Sequence, residues 1–355
     1  MVATVEDQPT ATVETVIATT VDTGPPPVAR PPEPRKIKGR KDAGDRVFHG
    51  GTLLTGVVVL AIMAGVGVFL SVEATDALRS QGLDFLTTSE WEPERGRFGI
   101  AAILIFTVLI AAVAVAVAVP VSMGTALFIT DIAPARFRSW LVAGVDLMAA
   151  VPSVVYGLWG LYFLQGLVVP ISRWISTWFG WIPIFSVEGA DPSSPLASAS
   201  VYTTSTFLAG LVVAMMVMPI QCSVMREVFS QVPVGEREGA FALGATRWGM
   251  IRIVSLPFAR GGIIGGTMLG LGRALGETIA VLLIISPVFE IRFRILEAGS
   301  NSVSSLIALR YAEATDFSLS ALFAAGLALF AMTLVVNFTA SAFVARSRSG
   351  ASSEA

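Results

Sequence analysis

Apolar and polar positions in this chain come in long blocks. Six apolar runs, at about 52–72, 98–121, 141–164, 204–225, 261–288 and 318–344, are separated by stretches that gather most of the charge. Each run reaches the roughly 20 residues that a helix needs to cross about 30 Å of hydrocarbon. Hydrocarbon offers no water to the backbone, so a spanning segment of this length is expected to be a helix, which satisfies its own N–H and C=O groups. The pattern predicts an all-α membrane protein with six transmembrane helices over 47–346. Residues 1–46, rich in Thr, Val, Pro and charge, read as a disordered cytoplasmic tail, and 347–355 as a short C-terminal cytoplasmic tail.

Composition supports this division. Apolar residues make up 54% of the chain and charged residues 14%, against roughly 25% charged in a soluble domain. The net charge of −2 gives no basic field for nucleic acid. One cysteine (Cys222) and one histidine (His49) exclude a zinc cluster and an internal disulfide. Lysine occurs only at Lys36, Lys38 and Lys41. A P-loop lysine or a Schiff-base lysine in the membrane body is therefore excluded, and any ATP and magnesium must be bound by a different chain.

Arg and Lys set the expected orientation. With the N-terminus inside, the inner segments carry 16 of these residues and the outer loops seven. Both termini are then cytoplasmic, in a bacterial inner membrane. The loop expected at 165–203 contains Trp174, Trp178 and Trp181, which read as an interfacial anchor on the outer side.

Two places carry chemistry. In the inner connection at 226–260, Glu238-Gly239-Ala240 is followed after three residues by Gly244, and after nine more by Val254-Ser255-Leu256-Pro257. Acids at Glu236 and Glu238 suit the first turn of a helix. Ala240, Ala242 and Ala245 give it a small-residue surface, and Gly244 can end it in a left-handed conformation. Leu256-Pro257 is expected to restart the helix, because proline fits a first turn. The second place is Arg273, about 12 residues into the fifth run and so roughly 18 Å deep at 1.5 Å per residue. An arginine near the midplane costs about 2.5–3.5 kcal/mol, which calls for a function such as an anion path. Glu277 lies four residues on, which puts it on the same face of a continuous helix. Gly262, Gly266 and Gly270 would let a neighbouring helix approach another face. Pro152 is expected to open the third run and free Ser153 and Tyr156 for the path, whereas Asp146 reads as snorkelling to the inner surface.

These strings resemble known families. The 238–257 spacing is similar to the Glu-Ala-Ala loop of ABC-importer permeases, with Gly239 in place of the middle alanine and Val254 in place of isoleucine. Arg273-Ala274-Leu275-Gly276-Glu277-Thr278 and Val151-Pro152-Ser153-Val154-Val155-Tyr156-Gly157 resemble permeases of the bacterial high-affinity phosphate importer, the C-type chain in particular. The resemblance covers roughly 50–345. It implies a type I permease core in which Glu238, Gly239, Ala240, Gly244, Ala245, Leu256 and Pro257 couple to the ATPase. Arg273, Glu277, Thr278, Ser153 and Tyr156 would lie on the substrate path, with Glu277 ordering Arg273 and accepting a hydrogen bond from protonated phosphate. The implied partners are an A-type permease chain, two ATP-binding subunits, an external phosphate-binding protein and membrane lipid. A permease for molybdate or sulfate shares the loop. An ion-coupled secondary transporter would leave the loop unexplained, and an embedded enzyme would lack a nucleophile beside a base.

Overall fold

The computed structural model describes residues 43–188 and 198–348. Residues 1–42 of the tail expected at 1–46, with all three lysines, and residues 349–355 lie outside them. The chain divides into two units, Met1–Val58 and Val59–Ala355. The described part of the first is the opening of helix α1 (Ala43–Glu73), with its side chains from 44 to 58 exposed. The helix therefore starts four residues before the tail was expected to end.

The second unit holds the rest. Helix α2 (Thr75–Gln81) leads into a hairpin of β1 (Trp91–Glu92) and β2 (Arg97–Phe98). Next come α3 (Ala101–Leu127), α4 (Ala135–Ala150), α5 (Ser153–Trp159) and α6 (Gln165–Phe179). Then follow α7 (Thr206–Ser230), α8 (Val234–Ala242), α9 (Arg247–Met250) and α10 (Leu256–Leu275). The chain ends with α11 (Ile279–Ile284), α12 (Val303–Arg310) and α13 (Asp316–Arg348). Among the described residues, six helical stretches are long and apolar enough to span a bilayer: 44–73, 101–132, 153–179, 206–230, 247–275 and 316–339.

The number of spans matches the sequence pattern, and two of the boundaries need correction. The third run is not a single helix over 141–164. Val151 is extended, and Pro152 parts α4 from α5. Helix α4 packs beside α7, where Ser223 Oγ approaches Asp146 Oδ1 at 3.5 Å, so Asp146 has a polar neighbour within the bundle. Helical structure then continues through Phe179, which puts Trp174 and Trp178 on α6 and leaves only Trp181 in the loop. The fifth run is also broken. Helix α10 stops at Leu275, and α11 starts afresh at Ile279.

Small residues bring α3, α7 and α10 together. Ala111, Ala114 and Ala118 pack with Ala209, Val213 and Ala214 in the central core. The three spaced glycines of α10 face α7: an added Cβ would come within 2.2 Å of Val228 at Gly262 and within 2.1 Å of Gln221 at Gly270. Without side chains there, the two backbones approach closely enough to gain dispersion contacts along the whole crossing. Beyond α11 the chain returns extended, pairing Ser205 with Ala298 and hydrogen bonding Phe207 N to Ile295 O at 2.8 Å. Arg292 and Arg294 both reach the Glu297 carboxylate, at 2.8 and 3.2 Å, and Arg294 also bonds Glu188. That guanidinium holds the Glu188 carboxyl below its ordinary pKa.

Candidate functional site: a broken helix and a docking loop

The break between α10 and α11 is made by Gly276, Glu277 and Thr278. Gly276 caps α10, and Glu277 N reaches back to Ala274 O at 3.5 Å. Glu277 Oε1 turns forward and accepts from Ala280 N at 3.4 Å, capping the first turn of α11. The Glu277 carbonyl accepts from Ser304 Oγ at 2.7 Å, so α12 pins the break from outside. Thr278 Oγ1 donates to Gly276 O at 3.3 Å. Loose backbone groups inside a membrane are tolerated when side chains satisfy them this way.

This geometry corrects the expected Arg273–Glu277 pairing. The two are not on one face of a continuous helix, and among the described residues no ion pair joins them. Each charge occupies a helix end that favours it. Arg273 is in the last turn of α10, where carbonyls point outward, and Glu277 precedes the first N–H groups of α11. Arg273 is exposed and has no hydrogen-bond or ion-pair partner among the described residues.

The third-run string meets this break from the side. Gly157 of α5 lies against α11, where an added Cβ would be 2.9 Å from Ala280 Cα, and Gly160 lies against Val212 and Ile284. Ser153 opens α5 and is half-buried. The Tyr156 hydroxyl donates to Met148 O at 2.9 Å. In an unbroken helix that carbonyl would receive the N–H of residue 152, which proline lacks. Tyr156 thus closes the gap that Pro152 opens.

The loop at 231–256 shows the expected turn. Ala245 N bonds Ala240 O at 3.0 Å, Gly244 N bonds Phe241 O at 2.9 Å, and Gly244 has φ +84°. This is the paired closure of a helix C-terminus around a left-handed glycine. Glu236 lies in the first turn of α8, but Glu238 belongs to the second. The restart comes earlier than Leu256-Pro257. Thr246 Oγ1 accepts from Gly249 N at 3.1 Å and caps α9, and helical structure then runs unbroken from Arg247 to Leu275. Pro257 falls inside this rod, where its ring would clash with the carbonyl four residues back. The turn Ile251–Ser255 widens to a π-helix there. The outer face of α8 is bare, with Leu243 91% exposed and Val234 and Phe241 also exposed.

One anchor was not foreseen. Arg237 of α8 places Nη1 2.9 Å from Asp131 Oδ1 and donates from Nη2 to Phe229 O at 2.6 Å. Asp131 lies in the π-turn Phe128–Ile132 that extends α3, with its side chain only 2% exposed. The contact is close but not in line, and the Asp131 oxygens and Arg237 Nε make no well-directed hydrogen bond. The signal available in the sequence was an acid, Asp131, just beyond an apolar run that had been ended at 121. Gln221, fully buried in α7 and contacting Ser122 Oγ at 3.5 Å, was missed in the same way.

Comparison with known proteins gives the family of the chain. Residues 118–349 match the family model described as binding-protein-dependent transport system inner membrane component. The phosphate transport system permease protein PstC 2 of Mycobacterium tuberculosis is 36% identical over 303 residues, 84% of this chain and 91% of that protein. PstC of Mycobacterium leprae is 38% identical over 305 residues, covering 84% and 92%. PstC of Pasteurella multocida is 36% identical over 291 residues, covering 82% and 88%. Among solved structures, a bacterial ABC transporter involved in the import of the acidic polysaccharide alginate superposes with TM-score 0.56 at 17% identity. The match covers 85% of this chain and 96% of the other, and it shows the shared fold. The chain is a multi-pass membrane permease and belongs to the family of binding-protein-dependent transport system inner membrane components.

Proposed function

We propose that this permease carries inorganic phosphate into a bacterial cell across the inner membrane, as one of two related membrane chains driven by two ATP-binding subunits. An external phosphate-binding protein would deliver the substrate. ATP and magnesium belong to the partner subunits, since no lysine follows Lys41. Both termini face the cytoplasm, on the side that gathers most of the arginine and lysine.

The observation that carries the reading is the broken fifth span. An arginine in the last turn of one helix, next to the start of another, sets a fixed positive charge beside the helix N-terminus that favours an anion. The Arg273 guanidinium matches two oxygens of a phosphate. Glu277 and Thr278 border the same break, and Ser153 lines its flank. On the cytoplasmic side, residues 238–245 form the ATPase-docking turn, with bare Leu243, Phe241 and Val234 as the surface to be covered. Leu256 and Pro257 lie directly after the π-turn of the rod from Arg247 to Arg273. Closure of the ATPase pair would move α8, and the rod would carry that motion to Arg273.

The test is phosphate uptake at low external phosphate in cells whose only high-affinity system carries Arg273→Ala, with assembly checked by co-purification. Uptake is expected to be lost with the complex intact. Normal uptake would remove Arg273 from the path and reopen the choice of oxyanion.

A further inference from the structure

A second concentration of arginine lies far from Arg273, at the α8 end of the bundle. A cavity of about 390 Å³ opens between α4, α7 and α8, and three guanidinium groups line it: Arg138, Arg226 and Arg237. They come from three separate elements, so their convergence is a product of the fold and not of sequence adjacency. Arg237 is already engaged with Asp131 and Phe229 O. Arg138 uses Nη2 on Thr130 O at 2.7 Å and keeps its other donors. Arg226 is half-buried in the last turns of α7 and has no hydrogen-bond or ion-pair partner among the described residues. Glu227 also lines the cavity, and no ion pair joins it to Arg226 among the described residues. Its carboxylate accepts from Gln231 Nε2 at 3.3 Å.

Like charges brought together at a half-buried site repel unless something negative joins them. Among the described residues the acids at this group are Asp131, which is bound to Arg237 and also faces the charge of Arg138, and Glu227, so three guanidinium groups meet two carboxylates. We infer that this cavity binds a phosphate group, held by Arg138 and Arg226 beside the Arg237 anchor. Two fixed guanidinium forks suit an anion with several equivalent oxygens. Ser230 and Glu227 line the same space, and Glu227 can accept from a protonated phosphate oxygen.

The phosphate group has two possible sources. One is inorganic phosphate on the side to which the permease delivers it. The other is the headgroup of an anionic phospholipid: Trp140 and Phe137 of α4 are exposed within a turn of Arg138, as aromatic residues are at headgroup level. In either case the occupant touches the end of α7 and the anchor of α8, so it stiffens the joint between the docking helix and the spans. The inference rests on the proposed placement of α8 at the ATPase-facing surface.

The experiment uses the whole transporter complex in nanodiscs, with Arg273→Ala as background so that the membrane site does not contribute. Radiolabelled inorganic phosphate is titrated in phosphatidylcholine discs, and retention of phosphatidylglycerol is measured by native mass spectrometry in mixed discs. In the parent, one of the two probes binds. Arg226→Gln combined with Arg138→Gln is expected to weaken that probe at least tenfold, because two charge-assisted contacts are lost. Loss confined to inorganic phosphate identifies the transported product as occupant, and loss confined to phosphatidylglycerol identifies lipid. Equal binding of both probes by parent and variant overturns the inference. Arg226→Lys, which keeps the charge, replaces the double variant if that one does not assemble. Because the readout is binding, the result stands apart from the uptake experiment on Arg273.

Discussion

Replacing Arg237 by alanine tests whether α8 is tied to the spans by one ion pair. The Asp131 side chain is 2% exposed and that of Arg237 is 22% exposed. Removing one partner of a buried pair costs about 3–5 kcal/mol, because the other charge stays in a poor solvent. Arg237 is partly open to the cavity, which places the cost near the lower end. Loss of the Phe229 O hydrogen bond adds about 1 kcal/mol. A penalty of about 4 kcal/mol changes the docking equilibrium of α8 by roughly 850-fold. Hydrogen exchange at the α8 amides of the assembled transporter should rise by about that factor, and less phosphate should move per ATP hydrolysed. Arg237→Gln combined with Asp131→Asn removes both charges and should recover much of the loss, for a coupling energy of about 2 kcal/mol in a double-mutant cycle. If the double variant is as impaired as the sum of the singles, or if Arg237→Ala leaves exchange unchanged, the pair is not the tie.

Three further outcomes follow from particular contacts. Gly270→Ala should part α7 from α10 at a cost of about 1–3 kcal/mol, since its Cβ would meet Gln221 and Val217; Gly265→Ala, with nothing within 4 Å, is the neutral control in a thermal-stability assay. Tyr156→Phe should cost about 1 kcal/mol in the same assay and leave uptake near normal, because its hydroxyl serves Met148 O and that carbonyl keeps a second donor, Val151 N at 3.3 Å. The Glu188 carboxyl is held low in the folded chain, so its stabilising contact with Arg294 is complete above its unfolded pKa and is lost as pH falls below it. Between about pH 5 and 3, exchange at the Ile295 and Phe207 amides should accelerate beyond its intrinsic change, and Glu188→Gln should remove that dependence.

The sequence made the number of spans legible because a 20-residue apolar run has few alternatives in a chain of this composition. The Gly244 turn was legible because glycine after a small-residue helix is the low-strain way to reach φ +84°. Hydropathy could not reveal the break at Gly276–Thr278, since Ile279–Ile284 restores the apolar average at once. Reading one helix through that point paired Arg273 with Glu277, whereas the break gives each its own helix end. Pro152 correctly signalled an opening, but which group would fill it depended on the Tyr156 hydroxyl reaching back eight positions to Met148 O. The Arg237–Asp131 tie was hidden for a different reason. Its partners are more than 100 positions apart, and only the fold brings them together.

The unbroken helix from Arg247 to Leu275 has a thermodynamic consequence. At 1.5 Å per residue its 29 residues span about 43 Å, with one π-turn as the only irregularity. If docking at one end changes how well an anion binds at the other, then the anion must change docking by the same factor, because the two effects share one coupling free energy. Phosphate arriving at Arg273 would then be more than cargo. It would act as an effector of the ATP-binding subunits, and the cell would spend little nucleotide on a transporter with nothing to carry.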